Sequence, residues 1–380
     1  MILRTALTVT LSGLAAQVMA QDVPPPIEPE TLTVEEAIAP GPNLFAIDSS
    51  WSGVSNIFIV GADDLSMKGN VSPGMQALMV LNAAGTTVFS ASNYLERIAY
   101  GPRTSIVHEF DVETASITRE IEIPAKIAMV EVQPGLMSLV DDEKYLLVQN
   151  ATPATSVTVV DLEAGDVLAE IPTPGCWIII PAVTGPKFTT ICGDGTFASF
   201  TFDADGSFGD PAKSEVIFDP DGDALFTNGA RVGEMMVFAS YEGNLFVVDD
   251  SGDVPVLTET IAMTDGIDGN FAPTGSELIT YHEGTGVLFV LMHGDAYDGS
   301  HKDDSTEIWA YDFAARELLY RSNSNGENSL LMAQTETPRL YGAGGNAIYV
   351  YDIDPAARSA ARLVDSFDGI GSISMMATAE

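Results

Sequence analysis

The chain has 380 residues, 46% of them hydrophobic, with 34 glycines and 21 prolines; that is ample for a large core and, by length alone, suits two or three domains. Its 54 acidic and 16 basic residues leave a net charge of −38, which argues against nucleic acid or an anionic membrane surface as a partner. So acidic a surface keeps an exported protein soluble, and it also suits the steering of a basic protein partner.

The first twenty residues, MILRTALTVTLSGLAAQVMA, carry one cation (Arg4), an apolar stretch and the small-x-small signature Val18-Met19-Ala20. That pattern predicts a cleavable signal peptide over 1–20 and export to the periplasm. The stretch is too short and too rich in Thr and Ser for an anchor, and no later segment approaches the roughly 20 apolar residues of a membrane span. A Pro- and Glu-rich leader over 21–42 reads as extended or disordered. The rest, 43–380, reads as one domain.

From there the chain alternates strand-like runs with turn residues and shows no convincing helical periodicity. One pattern recurs. A β-branched or aromatic run ends at an acid, a turn follows, and a second alternating run returns, as in VHEFDVETASITREIEIP and VTVVDLEAGDVLAEIP. The acids are Asp111, Asp161, Asp203, Asp249, Asp312 and Asp352, with Gly61 in their place in a degenerate first copy. Seven units spaced 40 to 63 residues apart, each reading as a hairpin, predict an all-β, seven-bladed β-propeller. A single hairpin cannot bury its own apolar face, so the units must stack around an axis into one domain. The early run Leu44-Phe45-Ala46-Ile47 is expected to supply the missing outer strand of the last blade and close the ring. The turn acids have a local explanation: Asp accepts hydrogen bonds from backbone N–H groups two residues on. DADG and DPDGD lack the alternating ligand series of a calcium loop.

The only two cysteines, Cys176 and Cys192, bracket an apolar run in GCWIIIPAVTGPKFTTICGDGT. In an oxidising compartment they read as a disulfide rather than a redox or metal pair; two unpaired buried thiols are the alternative. The histidines, His108, His282, His293 and His301, show no metal-site spacing. His108 falls inside a strand, whereas His293 and His301 flank the loop HGDAYDGSHKDD and are candidates for a functional face. No serine has nucleophile-elbow spacing, and GAGGN precedes a strand rather than a helix. Nothing points to catalysis by this polypeptide on its own.

Specific residues then carry a resemblance. ERIAYGPRTSIVHEFD, from Glu96, is similar to the heavy subunit of the quinoprotein amine dehydrogenases, the methylamine and aromatic amine dehydrogenases, through Arg97, Ile98, Ala99, Gly101, Arg103, Thr104, Phe110 and Asp111. The cysteine segment resembles the family's too, through Cys176, Trp177, Pro181, Cys192, Asp194 and Gly195. VVDLEAG from Val159, Tyr241 with Gly243, Tyr281-His282 and His301-Lys302 continue the likeness in order to the C-terminus. The resemblance implies a non-catalytic propeller with a disulfide stapling two neighbouring strands of a central blade. It implies a small disulfide-rich light subunit carrying tryptophan tryptophylquinone, an assembly of two heavy and two light chains, and oxidation of primary amines to aldehyde and ammonia. Electrons would pass to a blue copper protein such as amicyanin or azurin. No cofactor or metal is then expected in this chain, and Trp51, Trp177 and Trp309 are expected to be packing residues. Arg97, Arg103, Tyr281, His282, His301 and Lys302 are the family-matching residues expected near the subunit interface.

Two departures stand out. Where the family often presents Gly-Gly-Phe-Leu-Pro to the substrate channel, this chain has Pro73-Gly74-Met75-Gln76-Ala77, so Met75 is the substrate-channel candidate in place of an aromatic gate. In QPGLMSL, Gly135 stands where the family tends to carry a tryptophan. A stand-alone periplasmic propeller acting as a binding or assembly protein is the alternative reading.

Overall fold

Alternating apolar runs give strands, and the strands of the computed structural model form seven antiparallel sheets in a ring. The structure describes residues 35–98 and 100–378. The predicted signal peptide and residues 21–34 of the predicted leader lie outside the described residues. Apart from two single-turn 3-10 helices, Ser300–Lys302 and Pro355–Ala357, the regular elements described are all strands.

Each blade runs from an inner strand at the axis to an outer one at the rim. In the second blade these are Val80–Leu81, Thr87–Leu95, Arg103–Asp111 and Ser116–Ile123. The third follows the same order from Met137–Val140 to Asp166–Pro172, and the fourth from Cys176–Pro181 to Ala212–Lys213. The fifth spans Leu225–Val232 to Val256–Ala262 and the seventh Ser329–Ala333 to Ala360–Asp368. In the sixth the inner strand is split into Ala272–Pro273 and Ile279–His282, both pairing with Val287–His293. The recurring hairpins of the sequence are thus the two outer strands of each blade.

The first blade corrects one expectation. Asn43–Asp48 pairs on one side with Asn56–Gly61 and on the other with the C-terminal strand Met375–Thr378. The early run is therefore the second strand of the first blade, and it is the C-terminus that closes the ring from the inside. Burial explains why: Leu44, Phe45, Ala46 and Ile47 are all fully buried, whereas an outer strand such as Met67–Val71 has one wet face. An unbroken apolar run belongs inside a sheet, not at its rim.

The turn acids behave as local chemistry demands. Asp111 accepts from the amide of Thr114 at 2.8 Å, Asp161 from those of Glu163 and Ala164, and Asp249 from that of Ser251. Asp312 does the same for Ala315. Three copies differ: in the fourth, Asp203 accepts only the Ser207 hydroxyl at 3.2 Å, while Asp205 takes the Ser207 amide. In the first, Asp64 takes the role that Gly61 cannot, accepting from the Ser66 amide at 3.0 Å. In the seventh, Asp352 lies within the strand and pairs with Arg362 at 3.1 Å, while Asp354 caps the turn through the Ala356 amide.

Cys176 and Cys192 are bonded, directly opposite one another on the inner two strands of the fourth blade. Beside them the Lys213 ammonium and the Thr196 hydroxyl hold the Asp194 carboxyl down to about 2. Replacing both cysteines by serine is expected to lower stability by up to about 3 kcal/mol, the loop-closure value for a bridge of this span, read as a lower urea midpoint. An unchanged midpoint would mean that strand pairing alone fixes this edge.

Glu277 sits where blades six, seven and one meet. Its backbone bridges to Asn328 and Leu330, its carboxyl accepts from the Ser329 hydroxyl, and the Met376 amide lies within its reach. Burial pushes this carboxyl from an ordinary 4.5 up to about 8. The folded chain then holds a proton that the unfolded chain has released, so stability falls as pH rises from about 4.5 to about 8 and levels beyond. Thermal melts across that window are expected to show the slope in the native chain and a shallower one in Glu277→Gln. Parallel curves would refute the assignment.

Candidate partner-docking face

Because neighbouring strands are antiparallel, connections alternate between two faces of the ring. One face collects tight turns, including those capped by Asp111, Asp161, Asp249 and Asp312; the other collects the long connections 72–79, 124–136, 214–224, 263–278 and 294–306. Long connections are where a propeller carries recognition.

Exposure separates the faces further. The barest large apolar side chains among the described residues are Ile98 (87%), Tyr100 (72%), Val216 (69%) and Tyr297 (63%), followed by Trp51 and Val54; all six lie on the loop face. On the turn face the barest is Val183. Trp51 is thus no packing residue, whereas Trp309 is fully buried with its indole N–H donating to Glu307, and Trp177 is half-buried.

Met75 lies at the loop-face end of the second blade's innermost strand. Its amide donates to the Asn93 carbonyl at 2.9 Å and the reverse bond is 3.0 Å. Gly74 makes this approach possible, because a Cβ there would stand 2.6 Å from the Asn93 carbonyl oxygen. Core methionines such as Met79 and Met137 are buried, but Met75 keeps part of its surface. Its chain neighbour Gln76 and its cross-strand partner Asn93 each hold one buried amide atom, Oε1 and Nδ2, without a hydrogen-bond partner.

Arg97 and Arg103 bracket the exposed loop of the same blade. The Arg97 amide donates to Tyr100 at 2.9 Å and its guanidinium lies 5.5 Å from that ring. Arg97, Tyr100 and Leu95 border an open cavity of about 500 Å³. Arg103 reaches the Ala125 carbonyl and the Met129 thioether, tying this loop to the next connection. Gly135, further along that connection, has φ 80°, and a Cβ there would lie 2.8 Å from both Ile178 and the Ile179 carbonyl. The backbone therefore excludes a tryptophan at this position.

His301 and Lys302 also lie on the loop face. The His301 ring stacks on Tyr241 at 4.2 Å, and burial beside the Lys302 ammonium pushes its pKa below the ordinary imidazole value. Tyr281 and His282 do not join them. They end the inner strand of the sixth blade at the turn face, where His282 is buried between Thr285 and the Thr335 carbonyl at 3.1 Å. His293 is buried against the Gly294 carbonyl, and His108 bonds its cross-strand partner Glu120 on the neighbouring outer strand. No cluster among the described residues suits a metal ion. Sequence reasoning missed Val54, Val216 and Tyr297. Their positions inside long connections were the one available signal.

The methylamine dehydrogenase heavy chain family model matches residues 44–378. The methylamine dehydrogenase heavy chain of Methylobacillus flagellatus is 24% identical over 84% of this chain and 81% of its own length. That of Paracoccus versutus is 26% identical over 86% and 78%. Among solved structures, a putative 6-phosphogluconolactonase from Bacteroides fragilis superposes with a TM-score of 0.60 at 11% identity, over 92% of this chain and all of its own. A dihydro-heme d1 dehydrogenase superposes at 0.54 and 14% identity, over 86% of this chain and 63% of its own. These two likenesses show the propeller alone. With the family model covering nearly every described residue, the chain belongs to the methylamine dehydrogenase heavy chain family.

Proposed function

We propose that this chain is the non-catalytic heavy subunit of a periplasmic amine dehydrogenase. The observation that carries the reading is the gathering of bare aromatic and aliphatic side chains on the loop face. An obligate interface resembles a core cut in half, and aromatic and Arg side chains are the usual anchors at its centre. Ile98, Tyr100 and Trp51, with Arg97 and Arg103 beside them, have that composition. The partner is a small, disulfide-rich light subunit, assembled as two heavy and two light chains. Tryptophan tryptophylquinone within that partner supplies an electrophilic carbonyl and takes up two electrons. This chain's tryptophans belong to three different blades and form no pair for such a group. A blue copper protein such as amicyanin or azurin receives the electrons.

The heavy chain's part is to cover the light subunit and narrow its substrate entrance. Met75, half-buried on a clamped backbone, fits that task, and its flexible thioether adapts to substrates that a phenyl ring would block.

Copurification from the native periplasm with quinone staining tests the assembly. A small stained partner whose absorbance bleaches on adding a primary amine is the expected result; a chain that elutes alone refutes the reading. The double variant Ile98→Asp, Tyr100→Ala is expected to weaken assembly by at least 2 kcal/mol, as loss of a central anchor does, without lowering the heavy chain's melting temperature. In the assembled enzyme, Met75→Phe is expected to raise KM for longer amines about tenfold, the scale of a few methylenes in an apolar pocket, and to spare methylamine. An equal change for every amine would place Met75 outside the entrance.

A further inference from the structure

The sequence holds two Asn-Gly pairs, Asn228-Gly229 and Asn325-Gly326. Asparagine is chemically labile, most of all before glycine, because glycine has no side chain to shield its backbone nitrogen from the asparagine amide carbon. That nitrogen can close a cyclic imide on the amide and expel ammonia. The surroundings decide whether it does, and the fold gives the two pairs opposite ones.

Asn228 and Gly229 lie inside the inner strand Leu225–Val232 of the fifth blade, where Asn228 is buried. Gly229 stands opposite Phe238, and a Cβ on it would meet that ring at 2.7 Å. Backbone packed so tightly closes no imide until the strand opens locally. Asn325-Gly326 lies instead in the connection from the sixth blade's outer strand, Glu317–Asn323, to the seventh's inner strand, Ser329–Ala333. Asn325 is exposed, and both residues border an open cavity of about 270 Å³ with Gly344, Gly345 and Gly369 on its rim. Water therefore reaches the pair. The Gly326 amide makes no hydrogen bond among the described residues. Its φ is 81°, a conformation glycine adopts freely, and a Cβ there would come no closer than 3.6 Å to its nearest neighbour, Asp304. The nucleophile is thus free, wet and unhindered. The Asn325 side chain donates from Nδ2 to the Tyr351 hydroxyl at 2.6 Å, and Tyr351 donates in turn to the buried Glu327 carboxyl. That bond holds the leaving nitrogen and leaves the amide carbon open to attack.

We propose that Asn325 is a site of spontaneous deamidation in the folded chain. The Gly326 nitrogen gives its proton to solvent and bonds to Asn325 Cγ; the Cγ–Nδ2 bond breaks, and the departing nitrogen takes a proton back and leaves as ammonia. Water then opens the imide at either carbonyl, giving isoaspartate or aspartate. No oxidant, metal or enzyme is needed. The product disturbs the junction of blades six and seven: an ionised carboxyl only accepts, so the single Tyr351 proton cannot serve both Glu327 and the new acid, and two like charges face one phenol oxygen. The inference does not rest on the proposed function, since the reaction needs no partner.

The full mature chain is incubated in mildly alkaline buffer, digested, and its peptides compared by mass spectrometry with those of an unincubated sample. The peptide carrying Asn325 is expected to gain the mass of a nitrogen-for-oxygen exchange, with isoaspartate, detected by its enzymatic methylation, outnumbering aspartate. Asn325 is expected to react at least about tenfold faster than Asn228, which waits on local opening, and denaturation in urea is expected to bring the two rates together. The variant Asn325→Gln is expected to stay unmodified, and Asn325→Asp to melt at a lower temperature than the native chain. No mass gain at Asn325, or equal rates at the two pairs in the folded chain, overturns the site. An Asn325→Asp chain that melts with the native one overturns the effect on the blade junction.

Discussion

Pairing of Met375–Thr378 with Asn43–Asp48 is the constraint on which the ring depends. Without it the first blade would lose its inner strand and Leu44 to Ile47 would face an open edge. Chain ends that are far apart in sequence thus become partners in one sheet, and every other blade is made of contiguous chain. The junction is reinforced from its neighbours: Glu277 of the sixth blade reaches Ser329 of the seventh and the amide of Met376 in the closing strand. A buried carboxyl kept protonated suits such a place, because it both donates and accepts where an ion would be left without a counter-charge.

Closure also frees the loop face. The turn face is built from short, self-capped turns whose acids satisfy their own backbone amides, which leaves little room for variation. On the loop face only a few turns are capped so, among them those of Asp194 and Asp219. Its long connections are held instead by contacts between blades, such as Arg103 to Ala125 and Thr227 to Gln133 at 2.8 Å. Side chains there can be exposed without cost to the strands beneath, and the apolar ones are.

What the sequence made legible follows this division. Repeats, most of the turn acids and the seven-bladed count depend on local pattern, and they hold in the structure. The disulfide was readable because two cysteines in a chain read as exported leave few alternatives. Ring closure was misread because MMAT at the C-terminus is too short to advertise a strand, while LFAI suited an edge as well as an interior until its burial was known. Asp352 was taken for a turn acid because it ends an apolar run, but its strand continues two residues further to Asp354. At the candidate face the resemblance led to Arg97, Arg103 and His301, yet it gave Tyr281 and His282 equal standing. Only the strand direction shows that those two end at the opposite face.

The loop face is not uniform. Around the second blade it offers bare apolar groups with Arg97 and Arg103 beside them; three to four blades away it offers a cleft lined by Asp221, Glu242 and Asp298. In a seven-membered ring these sectors lie on opposite sides of the axis. A partner that covers both must be apolar and acidic on one side and basic on the other, and such a pattern fixes orientation as well as affinity. A partner that covers only the apolar sector leaves the cleft open to solvent.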